Sequence, residues 1–270
     1  MNLSSDWIKT TIEPLQQPLG EGSTLSVRDV SLIFPDGEVG LDVLEQISFS
    51  VQAEEFVCIL GPSGSGKSTL LRVLAGLLSP TRGEVFYDGE KLFGPRREIG
   101  FVFQKANLMP WRTVLENITL PLELQQIPTR MARQRAQELV SLVGLEGFEG
   151  SLPRDLSGGM EQRVAIARAL VHDPRILLLD EPFGALDALT RERMGDELLR
   201  IWQTHRKTVI MVTHAIPEAV FLSDRVLVLS PRPGQIRLDL PVELPRPRDE
   251  GMRYSAEFGD IARQLKSAIG

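Results

Sequence analysis

Nine consecutive residues, Gly61-Pro62-Ser63-Gly64-Ser65-Gly66-Lys67-Ser68-Thr69, carry what is needed to hold a polyphosphate. They fit G-x-x-x-x-G-K-[ST], in which backbone amides converge on an anion, the lysine adds a point charge and the hydroxyl reaches Mg²⁺. On this reading Gly61, Ser63, Gly64, Ser65, Gly66 and Thr69 build the cradle. Lys67 serves the β- and γ-phosphates, and Ser68 ligates the metal. The motif means little without its context. The apolar run Phe56-Val57-Cys58-Ile59-Leu60 before it reads as a buried strand. Leu70, Leu71, Val73 and Leu74 after it read as a helix, whose N-terminus favours anions. The competing reading is a glycine-rich turn that binds nothing.

A second pair of groups fits the same chemistry. Ile176 to Leu179 form a short apolar run that ends in Asp180 and Glu181. Such a run suits a strand of a parallel sheet buried on both faces, and ligands of such sheets lie at the carboxyl ends of the strands. Asp180 is expected to hold Mg²⁺, directly or through water, and Glu181 to face the water that attacks the γ-phosphate. A solvated acidic pair at a strand end is the plain alternative.

Further along come Leu156-Ser157-Gly158-Gly159-Met160, Gly184-Ala185-Leu186-Asp187 and the lone His214. In this order, with the loop and the acidic pair, these motifs resemble the ATPase subunit of an ABC transporter over roughly residues 24 to 235. The resemblance implies a head-to-tail dimer, of this chain with itself or a close paralogue, that sandwiches two ATP molecules. In it the phosphate loop of one subunit faces Ser157, Gly158 and Gly159 of the other. The local chemistry agrees, because Ser157-Gly158-Gly159 precede the helical spacing of Val164, Ile166, Ala169 and Leu170. Free amides at a helix start suit a γ-phosphate. Ser157 as an ordinary N-cap is compatible with that role.

The same resemblance implies that Gln104 senses Mg²⁺ and the attacking water, that Asp187 reaches across the dimer, and that His214 contacts the γ-phosphate. It also puts Phe34 where a ring stacks on adenine. A phenylalanine ending the alternating run Val27, Val30, Leu32 reads equally as core, and a histidine at a strand end as a capped, solvated residue. Some positions depart from the pattern. Met160 replaces the usual Gln, Glu161 stands where a basic residue is usual, and Ala215 follows His214 in place of an acid.

Three phrases narrow the resemblance to the importers of nitrate, sulfonate, taurine and bicarbonate type: 108–114 (LMPWRTV), 180–187 (DEPFGALD) and 229–236 (LSPRPGQI). Trp111 lies just after Gln104, where the family docks a helix of its transmembrane permease. A plain core tryptophan is the other reading. The implied protein is an ATP-hydrolysing subunit held peripherally by the permease at the cytoplasmic face of the inner (plasma) membrane, and indirectly served by a solute-binding protein. The alternative is a soluble ABC-type ATPase without transport, of the DNA-repair or iron–sulfur assembly type. Neither a long coiled coil nor paired zinc-type cysteines support that alternative.

The elements that must position these groups imply an α/β fold. It has a P-loop (RecA-like) core with a mostly parallel sheet, an antiparallel β subdomain and an inserted helical subdomain. Residues 1–23 read as an extension, 24–240 as the ATPase domain with the helical insertion at about 105–155, and 241–270 as an extended segment with a short helix. In the insertion, Met131, Leu139, Leu142 and Val143 share a helical face that Gly144 ends. Met194, Leu198, Ile201 and Trp202 form a core stripe, and Phe258, Ile261, Leu265 and Ile269 a C-terminal amphipathic helix. The stretch after residue 235 is too short for an added β-rich regulatory domain. No apolar run approaches the roughly 18 residues of a membrane span, and the start of the chain lacks the pattern of a signal peptide. A net charge of −6 disfavours nucleic acid as a partner. The single cysteine, Cys58, excludes an internal disulfide and reads as core.

Overall fold

A computed structural model describes residues 23–35, 40–184, 186–205 and 207–269. Of the extension read over residues 1–23, residues 1–22 lie outside the described residues, as does Ala185, whereas Ser23 already begins the first strand.

Two sheets form the frame. The first is antiparallel, in the order β2-β1-β4-β5, from β1 (Ser23–Phe34), β2 (Leu41–Gln52), β4 (Arg82–Tyr87) and β5 (Glu90–Lys91). The second runs β10-β9-β3-β8-β7-β6, from β3 (Phe56–Leu60), β6 (Ile99–Val102), β7 (Ile176–Asp180), β8 (Thr208–Thr213), β9 (Arg225–Leu229) and β10 (Ile236–Pro241). Its strands pair in parallel except β10, which lies antiparallel to β9 at the edge. The edge position accommodates the proline that closes β10.

Strands β3, β7 and β8 are buried at every residue, as apolar runs covered on both faces must be. Helices α1 (Lys67–Leu74), α5 (Ala188–His205) and α6 (Ile216–Leu222) alternate with these strands. The spacing 27, 30, 32 in β1 breaks strict alternation, and the cause is a bulge. The pairing with β2 shifts register between Val27 and Val30, beside Asp29 at φ 49.

Between β6 and β7 the chain builds α2 (Val114–Leu124), α3 (Thr129–Leu142) and α4 (Gly158–Leu170), which pack on one another. The buried face of α3 is Ala132, Ala136 and Val140, continued by Val143. Met131 is exposed, contrary to the sequence expectation, because three alanine-or-valine positions one turn apart allow α3 to approach its neighbours closely there. Gly144 closes α3 at φ 64 with paired bonds, Leu145 N to Val140 O and Gly144 N to Ser141 O.

The stripe Met194, Leu198, Ile201 and Trp202 is buried, with Trp202 edge-on to Phe56. The last helix, α7 (Ala256–Ile269), buries Phe258 and Leu265. Cys58 is fully buried, and burial pushes its thiol pKa up, so it is an inert core residue. No described helix is long and apolar enough to cross a membrane.

Candidate active site

The phosphate loop joins β3 to α1, and its bend depends on Gly66, the N-cap of α1, at φ 93. A side chain there would be strained and would also meet Leu44 and the Val43 carbonyl of β2. Lys67 is buried, and its ammonium donates to the carbonyls of Gly61 and Pro62, both at 2.9 Å. Burial lowers its pKa, opposed by the nearby Glu181 and Asp180. The buried Ser65 hydroxyl finds no hydrogen-bond partner among the described residues, whereas Ser63 and Gly64 are exposed at the loop tip.

The carboxyl ends of three adjacent strands bring the remaining groups together. Ser68 Oγ donates to Asp180 Oδ1 at 2.6 Å. Burial raises the Asp180 pKa, and the hydrogen bond from Ser68 opposes the shift. Gln104 Nε2 donates to Glu181 Oε2 at 3.2 Å, and His214 Nδ1 lies 3.3 Å from the same oxygen. One carboxylate oxygen is therefore held from two sides, which leaves Oε1 outside this pair of contacts. Glu181 sits at φ 45, a left-handed conformation costly for a non-glycine residue and characteristic of functional sites. Its amide donates to Val212 O at 3.0 Å, and its carbonyl accepts from Gly184 N at 3.0 Å. The strained backbone is thereby pinned to β8 and to its own turn.

A second cluster forms at the start of α4. Ser157 caps that helix by accepting from Met160 N at 3.3 Å, as its residue type suggests. A methyl group on Gly159 would touch Leu186 and Thr190, whereas the same position on Gly158 faces open space. Asp187 is exposed and caps α5 through Thr190 N at 3.0 Å, and hydrogen bonds from the Thr190 side chain and then its amide lower the Asp187 pKa. The start of α4, with Ser157, Gly158 and Gly159, thus lies beside the turn that carries Asp187, and among the described residues no direct hydrogen bond or ion pair joins these four to the Lys67–Glu181 group.

Two aromatic side chains prove exposed rather than core. Phe34 at the end of β1 is 39% exposed and Trp111 is 72% exposed. The core readings of both are overturned. Trp111 stands on a stiff loop. Asn117 is fully buried in α2; it accepts from Met109 N at 2.8 Å and donates to the carbonyls of Met109, Arg112 and Thr113. Thr113 and Glu116 close a capping box just beyond it. From the other side, Arg168 of α4 donates to Ala106 O and Asn107 O. The segment from Gln104 to Trp111 is therefore fastened to both α2 and α4. The T-x-x-E spacing of Thr113 and Glu116 signalled the box in the sequence, but nothing there marked Asn117 or Arg168.

Gly234 is a further residue whose role needed the fold. Its amide donates to Val43 O, its carbonyl accepts from Glu45 N, and a Cβ there would overlap the Ser65 carbonyl oxygen. It backs the phosphate loop directly. Gly234→Ala is expected to weaken ATP affinity about tenfold and to lower the melting temperature by several degrees, because the clash is with backbone that cannot rotate away. Nucleotide titration and thermal melting measure both, and no change in either would mean that the loop holds its shape without this backing.

Known proteins resemble this chain over most of its length. The family model described as "ABC transporter" matches residues 44–184. An uncharacterized ABC transporter ATP-binding protein of Methanocaldococcus jannaschii is 50% identical over 245 residues, 91% of each chain. The aliphatic sulfonates import ATP-binding protein SsuB of Bacillus cereus is 45% identical over 90% of this chain and 94% of the relative. Among solved structures, an ATP-binding cassette captured as a dimer in a post-hydrolysis state with ADP and Pi aligns with a TM-score of 0.74. It is 37% identical over 82% of this chain and 99% of that one.

Proposed function

Since the chain belongs to the ABC transporter family, we propose that it is the ATP-hydrolysing subunit of an importer for a small solute of the nitrate, sulfonate, taurine or bicarbonate type. The sulfonate-import relatives make an alkyl sulfonate the first solute to test. The observation that carries the ATPase reading is the Glu181 oxygen shared by Gln104 and His214, at the same strand end as the Ser68–Asp180 contact.

Mg²⁺ fits the donors beside it. Ser68 and Asp180 offer hard oxygens 2.6 Å apart. Among the described residues no three His, Cys, Asp or Glu side chains gather as a metal cage. That is the arrangement Mg²⁺ uses when substrate phosphates and water complete its shell. When bound, the ion offsets charge on the β- and γ-phosphates. Lys67 would exchange its two carbonyl partners for phosphate oxygens, and the loop amides would hold the rest of the polyphosphate. Glu181 would orient the attacking water and take its proton through Oε1, with Gln104 and His214 fixing the carboxylate. His214 would then also reach the γ-phosphate.

Ser157, Gly158, Gly159 and Asp187 form a separate group, which suits a site completed by a second subunit: the start of α4 would present its amides to the γ-phosphate held by the partner. Phe34, exposed at a strand end, would stack on the adenine. The docking element for the permease would be the pinned loop that displays Trp111. With the permease the chain would sit peripherally at the cytoplasmic face of the membrane.

Trp111→Ala is expected to leave the basal ATPase of the isolated chain within about twofold of wild type, since the ring touches none of the phosphate-site groups, while co-purification with the permease falls at least about tenfold. Uptake of labelled alkyl sulfonate by a deletion strain carrying the variant should fall with it. Undiminished assembly and uptake would remove Trp111 from the interface. A wild-type gene that restores uptake of none of these solutes would overturn the importer reading and leave a non-transport ATPase.

A further inference from the structure

Two charged side chains that the mechanism above does not use connect its two clusters. Arg191, in the first turn of α5, donates from Nη2 to Leu186 O at 3.0 Å, in the turn that presents Asp187. Its Nε lies 3.4 Å from Glu218 Oε1, in the first turn of α6. The other oxygen, Glu218 Oε2, accepts from Thr213 Oγ1 at 2.5 Å, and Thr213 Oγ1 in turn accepts from Ala215 N at 3.0 Å. Thr213 and Ala215 flank His214. The chain of contacts therefore runs from the turn before Asp187, through Arg191 and Glu218, to both neighbours of the histidine that meets Glu181.

The pair is neither exposed nor sealed. The side chain of Glu218 is 14% exposed and that of Arg191 30% exposed, so the ion pair is partly desolvated and stronger than one fully in water. Losing Arg191 would leave Glu218 a half-buried carboxylate held by one hydroxyl. The geometry also excludes a looser role for each partner. Arg191 donates from Nη2 to Leu186 O and sets its Nε in ion-pair contact with Glu218 without a hydrogen bond, and Glu218 divides its two oxygens between that ion pair and the Thr213 hydroxyl.

We propose that Arg191 and Glu218 are positioning residues that couple the Leu186–Asp187 turn to His214, so that a partner subunit pressing on that turn aligns His214 with Glu181 for hydrolysis. The proposal rests on the ATPase reading above. Neither residue belongs to the phosphate loop or to the Ser68–Asp180 pair, and their contacts run to Leu186 and Thr213, so the pair would act on turnover and spare nucleotide affinity.

The test is a double-mutant cycle in the full-length chain, assayed below the melting temperature of every variant. Glu218→Gln keeps the acceptor for Thr213 but loses the charge that holds Arg191. Arg191→Lys keeps a charge but has one nitrogen, which cannot both donate to Leu186 O and hold the ion pair with Glu218. Each is expected to lower kcat about tenfold, with the Kd for ATP within about twofold of wild type. The double variant should lose little more than either single one, because both break one connection. Additive losses overturn the proposal. So does kcat within about twofold of wild type in either single variant, or a loss of ATP affinity equal to the loss of kcat. An unmodified chain that hydrolyses no ATP would instead remove the ATPase reading, and the coupling with it.

Discussion

Lys67→Ala is expected to reduce affinity for Mg²⁺-ATP by about a hundredfold or more while leaving the fold intact. The buried ammonium has Gly61 O and Pro62 O as its partners at 2.9 Å, both carbonyls of the loop that would receive the polyphosphate. Charge-assisted bonds to phosphate exceed such neutral contacts, and removing a desolvated cation from beside them costs about 3 kcal/mol, equivalent to roughly a hundredfold in Kd. The folded state loses less. Gly66 sets the turn by its left-handed backbone, and Leu70, Leu71, Val73 and Leu74 anchor α1 in the core without the lysine. Nucleotide titration with thermal melting separates the two effects. Undiminished affinity in a folded variant would show that the loop amides alone bind the anion, and the assignment of Lys67 would fall.

How much of this was legible beforehand depended on whether local sequence fixes the answer. The phosphate loop, the strand ending in Asp180 and the helix beginning at Gly158 could be read because each is a local signal: glycine at a turn, an apolar run of strand length, a serine cap before helical spacing. The antiparallel and parallel sheets followed from the same signals. Met131 misled because periodicity places it on a face without saying which face is buried; small alanines, weak in any hydrophobic pattern, occupy the contact instead. Phe34 and Trp111 stayed ambiguous for a related reason. An exposed aromatic and a core aromatic have the same letter, and only the fold, in which Asn117 holds the loop and the ring stands exposed, shows that Trp111 is displayed rather than packed. Gly234, Arg191 and Glu218 were out of reach entirely. Their partners, Ser65, Leu186 and Thr213, are brought to them by tertiary packing or by a turn whose geometry no spacing rule encodes. The left-handed backbone of Glu181 was likewise invisible, since glutamate has no preference for that conformation.

Glu181→Gln should separate binding from chemistry more sharply than any other single change. An amide of the same shape keeps an oxygen toward Gln104 and His214, so the local geometry survives. Its NH₂ group then replaces Oε1, turning the acceptor needed by the attacking water into a donor with no capacity to take a proton. General-base contributions of this kind are about 10²- to 10⁴-fold, and a loss of kcat in that range is expected. Affinity for Mg²⁺-ATP should remain within about threefold of wild type, because Lys67, Ser68 and Asp180 are untouched and one negative charge near the γ-phosphate has been removed. With hydrolysis blocked and both nucleotides retained, the variant should accumulate as a dimer holding two ATP molecules, visible by light scattering and by nucleotide content after gel filtration. The unmodified chain should pass through that state only transiently. The backbone strain at Glu181 adds a control: the amide inherits the same φ of 45, so a change in melting temperature would report side-chain contacts alone. If the variant hydrolyses ATP at the wild-type rate, the proton goes elsewhere, and His214, 3.3 Å from the same carboxylate, becomes the first candidate to replace next.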